Sequence, residues 1–582
     1  MRWKRQTVCP RLTDTIHKAL NVHPVTAQLL VARGVATADC ARRFLKPGLE
    51  DLADPYLLPD MEAAVERLHR AIRQGERVHI HGDYDVDGIT STSVLTLALR
   101  AFGADVHPTI AVRGDGEVGL SVVSYQRDHA PHRPSLLITA DCGSSNHEAL
   151  GAAARDGVDV VVVDHHQMPA VAPPCHALLN PVRAESRYPF AALAAVGVAF
   201  HLVRALTMRM ERDGGPPALR LDTLTDLVAL GTVADVVPLV SDNRVFVRVG
   251  LEHMRAARRP GLCALLRAAR LLRTDAREPS PTDGLNPRSI GFRVAPLLNA
   301  AGRMGNANLC VDLLTTTSYR DADVIVRSLE ATNAERQRCE KRIQQEALEL
   351  AETQRAAGKA ALFLVQEHWH PGVLGIVASR LAERFHMPAV VATYDESGVA
   401  KGSVRSPEQV DMLEALASAD AWLTTYGGHR VAAGLSFPIA HHDAIEEAID
   451  RSVRAQREAN ASALGDRAWR VDGELPLHTL NDHLVEEFTK LAPFGAGHDE
   501  PVFVAYGVQP LQSRDFPGNQ VRARLRSRGL VWDAIGYGLA GRAHLADPRV
   551  DILFSPRLRT KTRGIQRIEL LLHEVKPSGD AP

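Results

Sequence analysis

The sequence predicts a multidomain α/β protein. It comprises a parallel-sheet domain, a long connecting helix, a second α/β domain and a small C-terminal β-barrel or sandwich. Three observations predict this. The chain has 582 residues, too many for one hydrophobic core. Apolar runs of strand length alternate with helical stretches between residues 61 and 163, and again from Ala361, the pattern of a mostly parallel sheet with helices on both faces. From about residue 468 short strands and turn residues replace helices, which suggests a barrel or sandwich.

The elements run in order along the chain. The first stretch, to about residue 55, mixes short helical pieces with turns and is expected to decorate the domain after it. MEAAVERLHRAIRQG (61–75) has helical apolar spacing and stops at Gly75; RVHIH then reads as a buried strand. STSVLTLALRAFG predicts a helix ending at Gly103, and a strand at 135–140, a helix at 146–156 and a strand at 158–163 continue the alternation. Residues 190–270 read as mainly helical, followed by a loop at 274–289 rich in Pro, Asp, Arg and Ser. Residues 321–357 contain neither proline nor glycine and are dense in charge, so one long exposed helix is expected as a rigid connector. A second α/β pattern runs from ALFLVQEHWHPGVLGIVASRL to about residue 460. The expected divisions are 1–55, 56–320, 321–357, 358–462 and 463–582.

Composition excludes several classes. No apolar run reaches the length of a membrane span, and the basic N-terminus MRWKRQTVCPRL lacks the apolar stretch of a secretory signal. A cytoplasmic protein with no membrane partner is therefore expected. Seven scattered cysteines with no C-x-x-C pair argue against a disulfide framework or a structural zinc site. The net charge of −1 neither requires nor excludes nucleic acid, because the distribution of charge decides. There is no phosphate-binding G-x-x-x-x-G-K-[ST] loop, no dinucleotide fingerprint after a strand and no G-x-S-x-G elbow.

The chemistry lies where strands end. VHIHGDYDVDG ends in His81, Asp83, Asp85 and Asp87; LLITADCG ends in Asp141; VDVVVVDHH ends in Asp164, His165 and His166. DLVALGTVADVVPL adds Asp226 and Asp235. Neighbouring parallel strands would bring these groups to one edge of the sheet, where open α/β sheets keep their sites. Oxygen and nitrogen ligands at that density suit a pair of divalent cations, with imidazole favouring Mn²⁺ or another transition metal over purely oxygen-bound Mg²⁺. Two cations about 3.5–4 Å apart clamp the attacking and leaving oxygens of a phosphoryl displacement. An isolated Asp after a strand is more often a helix cap or turn residue, and Asp83 is ambiguous in that way.

HGDYDVDG, TADCG, VDHH and GTVADVVPL resemble motifs I to IV of the DHH phosphoesterase superfamily, and GGHRVAAG (427–434) resembles the signature of its DHHA1 domain. GFRVAPLLNAAGRMG, WHPGVLGIVASRL, KGSVRS and LAPFGAGHDEPVF are similar to a branch of single-strand-specific 5′→3′ exonucleases, over most of residues 50–580. The resemblance implies a DHH catalytic domain, a DHHA1 domain and an OB-like C-terminal barrel. It implies that His81, Asp85 and Asp141 hold one metal ion, Mn or Mg. Asp87, Asp141, His165 and Asp235 would hold the other, with His166 on the scissile phosphate. Asp235 fits the fourth motif better than Asp226, which lies more than two helical turns earlier. Arg113, Ser403 and Arg405 match residues that hold a 5′ phosphate; Val404 stands where the family often has glycine, which bears on the local loop. Arg303, Gly427, Gly428 and His429 are further candidate phosphate contacts.

In QVRARLRSRGLVW, Arg522, Arg524, Arg526 and Arg528 alternate, which on a strand puts four cations on one face. Arg557, Arg559, Lys561, Arg563 and Arg567 form a second basic run, and Phe516 and Trp532 offer stacking surface. A cationic groove with aromatics on a barrel suits single strands; a solvated edge strand is the plainer reading. The sum of these readings is a monomeric, metal-dependent exonuclease acting on single-stranded DNA with a 5′ end. Roles in recombination and repair, with a helicase and a single-strand-binding protein as partners, are implied by the resemblance alone. Two other classes stand beside it. One is a phosphoesterase of short oligonucleotides or cyclic dinucleotides, against which the arginine strand argues. The other is a non-catalytic DNA-binding scaffold, against which the complete ligand set argues.

Overall fold

The computed structural model describes residues 2–113, 119–214, 219–272, 284–459, 468–541, 545–560 and 566–579. The chain begins with β1 (Arg2–Arg5), α1 (Pro10–Leu20), α2 (Pro24–Ala32) and α3 (Ala38–Leu45). The first α/β unit comes next, with α4 (Met61–Gln74), β2 (Arg77–Gly82), α5 (Val86–Ala101), β3 (Asp105–Ile110) and α6 (Val122–Asp128). It continues through β4 (Leu136–Ala140), α7 (His147–Arg155), β5 (Asp159–Val163) and β6 (Ala177–Leu179). All pairings in this sheet are parallel, in the order β3-β2-β4-β5-β6. The order reverses direction between β2 and β4, and such a switch point opens a crevice at the carboxyl ends of the strands. Helices cover both faces, each over its own apolar cluster.

A helical layer is next: α8 (Ala195–Arg212), α9 (Thr225–Ala234), α10 (Ser241–Ala256), α11 (Pro260–Ala268), the single turn α12 (Pro287–Ser289), a π-helical turn (Ile290–Val294), α13 (Ala295–Met304) and α14 (Asn308–Thr315). Helix α5 packs against α8 and α9, which carries these helices to the site edge of the sheet. Most of the loop expected at 274–289 lies outside the described residues; its end, from Asn286, forms α12.

The expected connector is α15 (Tyr319–Ala356), 38 residues long, or roughly 57 Å at 1.5 Å per residue. It is not exposed throughout. Ala322, Val326 and Leu329 join the first core, whereas Ile343, Ala347 and Ala351 join the second. One helix thus roots in both units, which fixes their spacing.

The second unit holds β7 (Leu362–Glu367), α16 (Leu374–Phe385), β8 (Ala389–Tyr394), β9 (Val399–Arg405), α17 (Met412–Ala417), β10 (Thr425–His429), β11 (Ala432–Pro438) and α18 (His442–Ala459). Only β7 and β8 run parallel; the sheet order is β10-β11-β9-β8-β7. The C-terminal unit comprises β12 (Ala468–Val471), β13 (Gly473–Glu474), α19 (Asp482–Lys490), β14 (Phe503–Phe516), β15 (Gln520–Ser527), β16 (Leu530–Tyr537), β17 (Val550–Thr560) and β18 (Gln566–Pro577). Strand β14 pairs with both β15 and β17, which closes a five-stranded barrel. No described helix is long and apolar enough to cross a membrane.

The N-terminal stretch corrects one expectation. Residues up to Leu45 share a core with the barrel at the far end of the chain, whereas Leu49, Leu52 and Ala53 pack on the unit next in sequence and Arg244 of α10 donates to Phe44 O at 3.0 Å. Strand β1 pairs with β12, and buried Glu487 accepts from Thr26 Oγ1 at 2.5 Å and from His23 N at 2.9 Å. The short helices cannot bury their apolar faces alone, and the open side of the barrel covers them.

Candidate active site

At the switch point, β2, β4 and β5 each end in a carboxylate or imidazole. Oxygens of Asp83, Asp85 and Asp141 lie within 4.8 Å of one another, as do ligand atoms of Asp87, His165 and Asp235, and of Asp141, His165 and His166. His165 Nε2 is the hub: it lies 3.3 Å from Asp141 Oδ1, 3.7 Å from Asp235 Oδ2 and 3.9 Å from Asp87 Oδ2. Asp85 and Asp87 are also built into the backbone. Asp85 caps α5, accepting the N–H groups of Asp87 and Gly88 at 2.9 and 3.1 Å. Asp87 accepts the N–H groups of Ala195 and Val196, at the start of α8, at 2.6 and 2.9 Å. Capping and ligand roles are therefore compatible, since a carboxylate has lone pairs for both. Asp141 adopts φ +64, a left-handed backbone uncommon outside glycine but tolerated by aspartate.

The arrangement fits divalent cations on its own evidence. Asp83 Oδ1, Asp141 Oδ1 and His165 Nε2 are buried without a hydrogen-bond partner among the described residues. Buried polar atoms are rarely left so, and the oxygen–nitrogen donor set is that of a transition-metal or Mg²⁺ site.

Two aspartates left open by sequence separate cleanly. Asp83 clusters with Asp85 and Asp141. Asp226 lies at the other end of α9 from Asp235, where Arg259 bonds it at 2.9 and 3.1 Å; it is a structural ion pair. His81, next to last in β2, is buried with Nδ1 held by His129 Nε2 at 2.9 Å, and it is not a member of these clusters.

Asp164 has a role its motif did not suggest. Its Oδ1 accepts the N–H groups of His165 and His166 and, at 2.8 Å, His166 Nδ1; its Oδ2 accepts Ser144 N. Asn180 also donates to the His166 carbonyl at 2.8 Å. The hydrogen bond to Asp164 raises His166 to a pKa of about 9, against its partial burial, while that partner and the backbone donors lower Asp164 itself. His166 thus favours the imidazolium at neutral pH, with Nδ1 committed to Asp164. Burial and the neighbouring His166 charge lower His165 to about 4, so its ring is neutral at pH 7.

Burial and mutual repulsion raise the clustered acids. Asp83 and Asp235 each rise to about 7, by burial first and then by Asp85; Asp87 and Asp141 are also raised. A carboxyl whose folded pKa exceeds its unfolded value of about 4 stabilises the fold below pH 4 and loses that contribution as pH rises through 7. The lowered histidines, His79, His129 and His165, oppose this only below about pH 6.5. In a cation-free buffer the melting temperature should therefore fall between pH 6.5 and 9, and Mn²⁺ should raise it more at pH 8.5 than at pH 6.5. A melting temperature flat across that window in EDTA would contradict the clustering.

Facing these acids is a group of cations from both α/β units. Arg303, near the end of α13, is half-buried, and its Nη1 donates to Gly372 O at 3.2 Å. Burial lowers it to about 10, helped by the positive charges of Arg113, Arg336 and Arg405. A Cβ on Gly372 would stand 2.2 Å from Arg303 O, so only glycine permits this approach between the units. At the start of α16, a Cβ on Gly375 would lie 3.2 Å from Arg405 Nη2 and 3.5 Å from Ser403 Oγ, placing both side chains over a helix N-terminus that favours anions. Arg113 sits 5.4 Å over the ring of Tyr84. The backbone of α13 at Gly302 also lies against Tyr84, a Cβ there standing 2.3 Å from Tyr84 O, so Tyr84 neighbours both Arg113 and the helix that carries Arg303.

The KGSVRS segment is a strand, β9, rather than a loop. Val404 points into the core opposite Val390 and Ala433, so valine in place of glycine suits it and leaves Ser403 and Arg405 on the other face. Gly427, Gly428 and His429 likewise lie on edge strand β10, exposed, with Gly428 at φ +139. Their outward amides are those of a sheet edge.

On the barrel, Arg522, Arg524 and Arg526 alternate as exposed residues of β15. Arg528 does not share that face. It sits with Gly529 in a two-residue hairpin turn at φ +46 and +85, and its Nη1 is 3.0 Å from His478 Nε2. Phe516 lies between Arg514 and Arg522, with guanidinium carbons 5.8 and 5.1 Å from its ring centre, and lines a groove of about 550 Å³ with Arg522, Arg524 and Arg559. Arg514, Arg522 and Arg524 have no ion pair among the described residues. Trp532 is not a stacking surface: paired with Leu525, it packs against the barrel core. In the second basic run, Arg557 pairs with Glu500 and Arg559 with Glu569, Arg567 is exposed, and Lys561 and Arg563 lie outside the described residues.

This fold and edge cluster define a DHH-type protein carrying a DHHA1 unit. The family model described as "DHH family, N-terminal domain" matches residues 77–232, "DHHA1 domain" matches 358–455 and "RecJ OB domain" matches 471–574. A relative from Dickeya dadantii (strain 3937), named single-stranded-DNA-specific exonuclease RecJ, is 37% identical, covering 86% of this chain and 85% of the relative. The relative of that name from Bacillus subtilis (strain 168) is 33% identical over 92% of this chain, which spans 66% of its length. The crystal structure of RecJ from Thermus thermophilus in complex with Mn²⁺ superposes with a TM-score of 0.80 at 31% identity, covering 100% of this chain and 81% of that one. A Mg²⁺ complex of the same protein gives 0.74 at 30% identity, covering 99% and 79%. The chain belongs to the RecJ family.

Proposed function

We propose that this protein is a divalent-metal-dependent exonuclease that removes 5′-mononucleotides from the 5′ end of single-stranded DNA. The observation that carries the proposal is an acid–imidazole cluster suited to metal ions with a cationic group close by: Tyr84, next to Asp83 and Asp85 in the chain, lies under Arg113 and against the backbone of α13 beside Arg303. His81, Asp83, Asp85, Asp87, Asp141, His165 and Asp235 would hold two cations, Mn²⁺ or Mg²⁺, which when bound neutralise the cluster and activate water for in-line attack on phosphorus. Cationic His166 contacts a non-bridging oxygen of the scissile phosphate. Arg113, Arg303, Ser403 and Arg405 hold the terminal 5′ phosphate, which sets how far from the end the chain is cut. Gly428 and His429 contact the next phosphates from the edge of the second sheet.

A cleft between the two units, their spacing held by α15, would exclude duplex if narrow, so preference for single strands is read as steric. The barrel extends the grip through Arg522, Arg524 and Arg526, with Phe516 as a stacking platform. The reading implies a cytoplasmic, monomeric enzyme of recombination and repair, working beside a helicase and a single-strand-binding protein. It assigns residues 56–320 to catalysis, 358–462 to end recognition, 463–582 to strand binding and 1–55 to support of the barrel.

Incubation with Mn²⁺ and single strands carrying or lacking a 5′ phosphate, beside an Asp87→Ala control, tests the proposal. Mononucleotides should appear, more slowly without the phosphate and not at all in the control. Arg405→Ala should erase the preference for the phosphorylated end. Equal activity in the control would overturn the assignment. Replacing both Arg522 and Arg524 by alanine should weaken binding of a long strand, and lower the slope of log affinity against log salt by about 1.4, at roughly 0.7 per lost phosphate contact. An unchanged slope would remove the barrel face from the DNA path.

A further inference from the structure

Behind the acid cluster lies a row of buried imidazoles, of which the proposed reaction uses only His81. His79 and His81 are two residues apart on β2 and so face the same side of the sheet. His129, just past the end of α6, sits between them. Its Nε2 is 2.9 Å from His81 Nδ1 and its Nδ1 is 3.0 Å from His79 Nδ1. His81 and His129 are 0% exposed and His79 is 3% exposed, so water does not explain the row. His107 and His132 lie beyond it, with ring centres 5.3 and 5.7 Å from that of His79.

Each nitrogen–nitrogen hydrogen bond needs one N–H and one lone pair. Three neutral imidazoles in this row therefore have two self-consistent arrangements: every N–H points away from the acid cluster, or every N–H points toward it. A cation on His81 Nε2 permits only the first. His81 then donates through Nδ1 to His129 Nε2, and His129 donates through Nδ1 to His79 Nδ1.

We infer that His129 is a positioning residue: it accepts from His81 Nδ1, fixes the ring with Nε2 as the ligand nitrogen, and is itself held by His79. The inference rests on the reading of His81 as a metal ligand. Metal-binding histidines are usually oriented by a carboxylate or carbonyl. Here five aspartates already crowd the site, and a sixth carboxylate would add to their repulsion. A neutral ring orients His81 without adding charge. Packing alone does not account for the row, because apolar side chains would fill the same space without needing matched donors and acceptors.

Calorimetric titration of the full-length, cation-free protein with Mn²⁺ tests this, with melting temperature as the folding control. His81→Ala should weaken one of two Mn²⁺ sites. His129→Phe, which fills the space without a nitrogen, should weaken the same site by about 10- to 100-fold and leave the other unchanged. His129→Gln, whose carbonyl oxygen can accept from His81 Nδ1, should recover most of the loss. Full Mn²⁺ affinity in His129→Phe beside a weakened His81→Ala would overturn the positioning role and leave the ligand reading intact. Full affinity in His81→Ala would overturn both. If His129→Phe does not fold, His79→Leu carries the test: the same site should weaken several-fold, and wild-type affinity would overturn the row.

Discussion

Asp141→Asn is expected to reduce nuclease activity by at least about 10³-fold, as removal of a group shared by a two-metal site does, while raising the melting temperature of the cation-free protein. Asp141 lies within both the Asp83–Asp85 set and the His165–His166 set, so losing its charge weakens both cation positions at once. The same charge is a liability without cations. The carboxyl is buried, its Oδ1 lacks a hydrogen bond, and burial followed by Asp87 raises its pKa. Asparagine tolerates the left-handed backbone at φ +64, so the substitution adds no strain. Rate measurements with Mn²⁺, beside thermal melts in EDTA at pH 8, check both halves. Activity within tenfold of wild type, or a lower melting temperature in EDTA, would contradict the account.

Asp164→Asn should cost about 10² in turnover at pH 8, the scale of losing one charge-stabilising contact in the transition state, and much less at pH 6. The sign comes from His166. Its folded pKa of about 9 is set first by the Asp164 hydrogen bond, so the imidazolium persists through neutral pH and is lost above 9. Removing the carboxylate returns the ring toward an ordinary value of about 6.5. The alkaline limb of the turnover profile should then move from near pH 9 to near 6.5. An unmoved limb would show that the charge on His166 does not serve the reaction. A His166→Gln variant, which cannot titrate, should lack that limb altogether.

The local pattern made much of this legible. Strand ends at Asp83–Asp87, Asp141 and Asp164–His166 stand out because apolar runs stop abruptly at charge, and they would share one sheet edge if the strands were parallel neighbours, as β2, β4 and β5 are. Contacts set by topology were not legible. His129 reaches His81 only because β2 lies between β3 and β4, so the connection that carries α6 from β3 to β4 passes over it; the alternation in VHIH was the one available hint. The N-terminal helices meet a partner more than four hundred residues away, which no local signal encodes. Arg528 looked like a fourth member of an alternating row, but the positive φ of its turn ended the strand one residue earlier. Asp83 was ambiguous because a cap and a ligand call for the same residue type, and its place beside Asp85 and Asp141 could not be read from the local pattern.

The most direct test of the central claim is the end from which a single strand is consumed. A strand carrying a streptavidin block at one end only, incubated with the enzyme and Mn²⁺, measures this. The account predicts full digestion to mononucleotides when the 3′ end is blocked, protection when the 5′ end is blocked, and no release in EDTA. Digestion that proceeds past a 5′ block, or that is stopped by a 3′ block, would contradict it.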